Sequence, residues 1–245
     1  MGNIVFGGCS YTWGQSLWYH GNFPNDNHPK DGFFYGDMIC PECKEYMIKN
    51  RFATQVAEYF DKEPKVKALN GGSNMEILRF CEESVDINTE LIIIQTTHLL
   101  RDKGFSINQQ IESFENFVLK MEAKNIPVRF IHWMFTDMDY EEYELIKNDN
   151  WFGSYFKENN FYSKIIRDRT IFLDGDFNFW KWTELGAAMK YYNKIKYSEI
   201  EKRTIVGYFG HPKGAEHRDS HFSIYGHNIV AESIINYIKE NGLLK

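Results

Sequence analysis

Cysteine is scarce in this sequence: four residues in 245 (Cys9, Cys40, Cys43 and Cys81), with only one close pair. That is too few for a disulfide framework in a chain of this size. Proline numbers six, and no stretch gathers Pro, Gly and Ser into a linker. Low-complexity tracts and internal repeats are missing too, so one domain over residues 1–245 is expected. Long apolar runs are also lacking. The longest aliphatic run is Leu91-Ile92-Ile93-Ile94, whereas crossing a bilayer takes roughly 20 residues, so no membrane partner is expected. Positive charge is in deficit, with 28 Lys and Arg against 34 Asp and Glu and a net charge of −6. Without a basic face to neutralise phosphates, nucleic acid is not an expected partner. The opening Met1-Gly2-Asn3-Ile4-Val5-Phe6 has no basic leader region, and Phe6 stands where a myristoylation motif wants Ser or Thr, so the expected location is cytoplasmic. Phosphate-cradling loops are absent as well. Gly8 to Gly14 lacks the Lys-Ser/Thr ending, and no G-x-G-x-x-G follows the first β-like run. No organic cofactor is expected.

What is present is alternation. Short β-rich runs near 3–8, 65–70, 91–97, 128–134 and 170–174 are separated by stretches of helical period. This pattern predicts a three-layer α/β/α, flavodoxin-like domain with a five-stranded parallel sheet. Helices are predicted over 51–60, from a capping box at Ser73 and Glu76, over 107–125, and from about His227 to Asn241 with a stop at Gly242. Residues 18–49 read as a long irregular insertion. Residues 137–210, dense in Tyr, Phe and Trp around the fifth strand, read as a second, lid-like elaboration.

In an open parallel sheet, ligands bind beyond the carboxyl ends of the strands. There the sequence places Gly7-Gly8-Cys9-Ser10, then Asn70-Gly71-Gly72-Ser73-Asn74, then Gln95-Thr96-Thr97-His98; near the C-terminus comes Asp219-Ser220-His221. Serine catalysis needs a base for the hydroxyl proton, an acid to orient the imidazole, and donors for the oxyanion. Ser10 is the candidate nucleophile, His221 the base and Asp219 the orienting acid. The N–H groups of Ser10 and Gly72, with the side chain of Asn74 or Thr97, are the candidate oxyanion hole. N–H groups left free at the start of the helix after Ser73 are expected to help.

Two metal readings stand beside this one. Cys40-Pro41-Glu42-Cys43 supplies half of a tetrahedral zinc site, with isolated residues such as His20 or His28 needed for the rest; a free thiol pair or labile disulfide is the plainer reading. The pair is not expected to open a helix. His211, His217, His221 and His227 crowd one stretch around Asp219, which would suit a metal-dependent hydrolase, although no H-E-x-x-H spacing supports it.

On these blocks the chain resembles the SGNH (GDSL-like) serine hydrolase superfamily, and within it divergent phage-type members. Gly8-Cys9-Ser10 stands where that superfamily has Gly-Asp-Ser. Gly71-Gly72-Ser73-Asn74 stands at its oxyanion glycine, and Asp219 to His227 at its closing acid/His block. Three features depart from the pattern: Cys9 replaces Asp, Thr97 falls where an Asn is usual, and one residue rather than two separates acid and histidine. The resemblance implies an esterase acting on a small-molecule or glycan ester, such as an O-acyl group on a carbohydrate or lipid. A catalytically silent relative that binds a glycan or a protein through the same cleft is the alternative.

Overall fold

The computed structural model describes residues 1–14, 17, 41–68, 72–97, 101–132, 164–172, 209–210, 216–217 and 224–244. Five parallel strands form one sheet in the order β2-β1-β3-β4-β5: β1 Asn3–Gly8, β2 Glu63–Ala68, β3 Thr89–Gln95, β4 Val128–His132 and β5 Thr170–Phe172. The expected α/β class and strand count therefore hold. Helices α1 Ser10–Trp13, α2 Pro41–Asn50, α3 Phe52–Tyr59, α4 Asn74–Ser84, α5 Ile107–Glu122, α6 Lys164–Arg167 and α7 Ile224–Glu240 connect and cover the strands. A two-residue antiparallel pair, β6 Phe209–Gly210 with β7 Glu216–His217, stands apart from the main sheet.

β1 is buried along its whole length, as a central strand covered on both faces must be. Its side chains alternate between two cores. Ile4 and Phe6 pack with Phe52 and Val56 of α3 and with Val230, Ile234 and Ile238 of α7. Val5 packs on the other face with Ile77 and Cys81 of α4 and Phe114 of α5. Gly7 lies under α4 so closely that a Cβ there would come within 2.1 Å of Cys81 Sγ. Burial pushes the Cys81 thiol up to about 12, so it stays protonated and inert.

Several edges differ from expectation, each for a physical reason. β2 begins at Glu63 and contains Pro64, which an edge strand tolerates because only one side of it is paired. Within the segment read as irregular, residues 41–50 form α2, opened by Pro41 at the first helical position, where its missing N–H goes unmissed. Cys43 is therefore a first-turn residue of a helix, contrary to expectation; Cys40 lies outside the described residues. At the C-terminus, Gly242 adopts φ +58°, its N–H bonds to Lys239 O and Leu243 N–H to Ile238 O, ending α7 where the sequence placed its stop. Among the described residues no helix is long and apolar enough to cross a membrane.

At the amino edge of the sheet, Asp86 gathers Lys65 Nζ, Asn3 Nδ2, Asn88 N–H and Thr89 Oγ1. The Lys65 ammonium, then the Asn3 amide, hold its carboxyl well below the usual carboxylate range. A depressed folded-state pKa contributes stability above the unfolded value of about 3.9, and that contribution is lost as pH falls through the lower folded value. Replacing Lys65 with Met should therefore make the decline of urea midpoint between roughly pH 5 and pH 2 shallower. An unchanged acid limb would count against this assignment.

Candidate active site

Going β1 to β2 the chain moves one way across the sheet, and β3 returns on the other side of β1. This reversal leaves a crevice beyond the carboxyl ends of β1 and β3, the place where doubly wound sheets bind ligands. Four sequence-predicted positions fall there by backbone: Ser10, Gly72, Asn74 and Thr97.

Ser10 is the first residue of α1, immediately after β1 and buried Cys9. Trp13 N–H donates to Cys9 O at 3.1 Å, closing the turn. In a trans peptide the C=O and the following N–H point opposite ways. Because Cys9 C=O points into α1, the Ser10 N–H points out of it, as an oxyanion donor should. The turn is tight. A Cβ on Gly8 would lie 2.0 Å from Thr12 Oγ1.

Across the crevice, Gly72 is buried, and its N–H has no hydrogen-bond partner among the described residues. The helix after it behaves differently from expectation. Ser73 caps α4 in the predicted capping box, with Glu76 N–H bonded to Ser73 Oγ and Ser73 N–H to Glu76 Oε2. The carboxylate of Asp102, 6% exposed, takes the remaining first-turn donors: Asn74 N–H at 2.9 Å and Met75 N–H at 3.0 Å. The start of α4 therefore offers no free N–H to a substrate, which corrects the expectation that it would. Nothing local in the sequence marks Asp102 for this role, since it lies 28 positions from Asn74.

Asn74 is fully buried and its carboxamide is engaged throughout. Its Oδ1 accepts Thr97 N–H at 2.8 Å, and its Nδ2 donates to Thr97 O at 3.2 Å and to Gln110 Oε1 at 3.3 Å. It grips the Thr97 peptide as a neighbouring strand would, which draws Thr96 and Thr97 out of the β3 ladder and ends β3 at Gln95. With both amide hydrogens engaged, Asn74 acts here as a clamp between the β2–α4 and β3–α5 connections. The Thr97 hydroxyl is left over: 1% exposed, with no partner among the described residues.

On the face that carries α3, His227 sits in the first turn of α7, fully buried. Its Nδ1 accepts Phe52 N–H at 3.2 Å, and its ring stacks on Phe52 at 5.6 Å. It ties the start of α7 to the start of α3, at the edge of the sheet where Ser10 lies, and as an acceptor Nδ1 carries no proton. This geometry suits a structural histidine better than a metal ligand. His221 and Asp219 lie outside the described residues, as does His211; His217 is described through its backbone pairing with Phe209. Among the described residues no group of three or more His, Cys, Asp or Glu could hold a metal ion.

No protein-family model matches the chain, and no curated protein matches it. It is similar to several solved structures. The lipase/acylhydrolase from Enterococcus faecalis is 15% identical, over 98% of this chain and 97% of that one, with a TM-score of 0.46. A catalytic mutant of an acetylxylan esterase from Geobacillus stearothermophilus is 12% identical, over 100% and 98%, with a TM-score of 0.45. A member of the lipolytic protein G-D-S-L family from Veillonella parvula is 13% identical, over 98% and 99%, with a TM-score of 0.42.

Proposed function

We propose that the chain is a serine esterase with Ser10 as nucleophile. The observation that carries this reading is the buried, unpartnered Thr97 hydroxyl at the crevice, beside a Gly72 N–H that bonds to none of the described residues and an outward-facing Ser10 N–H. Buried polar groups are nearly always hydrogen-bonded, so an exception calls for a functional account. Donation by these groups to one developing negative charge would supply that account.

In the proposed reaction Ser10 Oγ attacks the acyl carbon while His221 takes its proton. The tetrahedral oxyanion rests on the N–H groups of Ser10 and Gly72 and on the Thr97 hydroxyl. The intermediate collapses as His221 returns the proton to the departing alkoxide, which leaves as the alcohol. Water, deprotonated by His221, then attacks the acyl-serine, and as this second intermediate collapses His221 returns the proton to Ser10 Oγ and the acid is released. Asp219 holds the imidazole in the tautomer this cycle needs. His221 is three residues from Ile224, the first residue of α7, roughly 10 Å of chain at full extension, which suits an imidazole serving the crevice. The acyl donor proposed is an O-acyl ester on a carbohydrate or lipid, following the resemblance of the sequence blocks.

A fluorophosphonate probe is the direct test. It should label the protein at Ser10, and failure to label would favour a silent binding module with the same crevice. The hole has its own test in Thr97→Val, which keeps the shape and removes the hydroxyl. Loss of one such donor is worth about 10²–10³ in kcat, with little change in KM. Because the hydroxyl is unpartnered, the melting temperature should hold or rise slightly. A variant that turns over normally but melts early would place Thr97 in the framework instead.

A further inference from the structure

Gln95 ends β3 with no exposed surface, and its carboxamide lies beside the β1–α1 turn. Its Oε1 accepts Cys9 N–H at 3.1 Å and the Thr12 hydroxyl at 2.9 Å. Its Nε2 donates to Thr96 O at 2.8 Å and lies 3.1 Å from Cys9 Sγ. The β1–β3 register ends at Gly7 with Ile94, and two residues further on, past the end of β1, Cys9 N–H bonds to the Gln95 side chain rather than to a strand. Gln95 supplies the missing acceptor from its side chain. Room for it exists only because position 8 is glycine, where a Cβ would sit 2.9 Å from Gln95 Oε1.

We infer that Gln95 is a positioning residue of the reaction, setting the angle of the Cys9–Ser10 peptide and hence of the Ser10 N–H. The inference rests on the esterase reading above. Cys9 is held at both ends, its N–H by Gln95 and its C=O by Trp13 N–H, so rotation of the intervening backbone would break one bond or the other. Both lone pairs of Oε1 are used, and a buried network satisfied in this way holds a single geometry. Thr12, two residues past Ser10, is fixed by the same oxygen, so the turn is pinned on either side of the nucleophile. A glutamine that served only the core would hold the fold equally well with the turn a fraction of an ångström away. The reaction would not tolerate that shift, because small misplacements at a reacting centre can lower rates about 10²-fold.

Two variants separate these roles. Gln95→Met removes both the acceptor and the donor. On folded protein it should lower kcat about 10- to 100-fold with KM within about twofold, and weaken binding of phenylboronic acid, a tetrahedral mimic, by a similar factor. Gln95→Glu is the conservative rescue. When protonated, its carboxyl offers one acceptor oxygen and one O–H donor in place of the amide; when ionised, it presents an oxygen to Thr96 O and loses the donor. Burial raises a carboxyl's pKa, to about 8–9 in documented cases. The ratio of Gln95→Glu to wild-type kcat/KM should therefore climb as pH falls from about 9 to about 6, a dependence that a framework role does not produce. Wild type is assayed first on 4-nitrophenyl acetate. A wild type that neither turns over nor labels overturns the esterase reading. An active wild type whose two variants match it in kcat and in the pH ratio, with only the melting temperature lowered, overturns the role of Gln95 alone. Should Gln95→Met fail to fold, the pH ratio of Gln95→Glu decides.

Discussion

Alanine at position 10 is expected to reduce turnover of a small aryl acetate by about 10⁴-fold or more, and to abolish fluorophosphonate labelling, while leaving the circular dichroism spectrum unchanged. Alanine is the best helix former, and the start of α1 is a place where it fits without strain. The loss would be chemical rather than conformational. What remains should be the rate supplied by binding and by the hole, because those donors do not depend on the hydroxyl. The companion changes are ordered by the same logic. Replacing His221 removes the proton acceptor and should approach the Ser10 effect, and adding it to Ser10→Ala should cost little more, because groups that act as one unit are not additive. Replacing Asp219 misorients the ring and should cost less. A Ser10→Ala protein with full activity would end the assignment.

The second large effect is expected at Gly8. Its Cβ would meet Thr12 Oγ1 at 2.0 Å, Thr12 Cβ at 2.6 Å and Gln95 Oε1 at 2.9 Å. None of these can swing away, because threonine is branched at Cβ and both side chains are buried and bonded to each other. The turn must move or the Thr12–Gln95 bond must break. Overpacking of this kind costs about 1–3 kcal/mol, and displacement of the nucleophile turn adds a loss of about 10²-fold in kcat. Urea denaturation and steady-state kinetics on Gly8→Ala measure the two parts separately. Gly2 is the control. The three atoms nearest its Cβ would all belong to the Glu90 side chain, at 1.6 Å to Oε1, and that chain, part-exposed and paired with Lys62, can turn aside. Gly2→Ala should be nearly neutral, and equal effects at both glycines would contradict the close approach at Gly8.

The core of this architecture was plain in the sequence because it rests on local signals. Ile4 to Phe6 and Leu91 to Ile94 are continuous apolar runs, Val128 to Ile131 is apolar except for Arg129, and Ser73 with Glu76 announces a helix start. What escaped notice depends on partners far along the chain. Thr97 reads as the last residue of a strand until Asn74, 23 positions earlier, takes its peptide. Gln95 reads as one more polar residue at a strand end, and only the fold sets it against Cys9, 86 positions away. Asp102 sits between Arg101 and Lys103 and looks like part of an ordinary charged turn, yet its oxygens face backbone donors of α4. Composition misled once: the Gly-, Asn- and Pro-rich run before Cys43 suggested an irregular segment through residue 49, whereas Pro41 starts a helix.

The Asp102 carboxylate has one more effect. A helix start normally presents about half a positive charge, a resting place for anions. In α4 an internal aspartate already sits there, so that charge is quenched before anything enters the crevice. If the proposed ester hydrolysis takes place here, a released carboxylate would find no electrostatic trap at α4 and should leave quickly rather than inhibit.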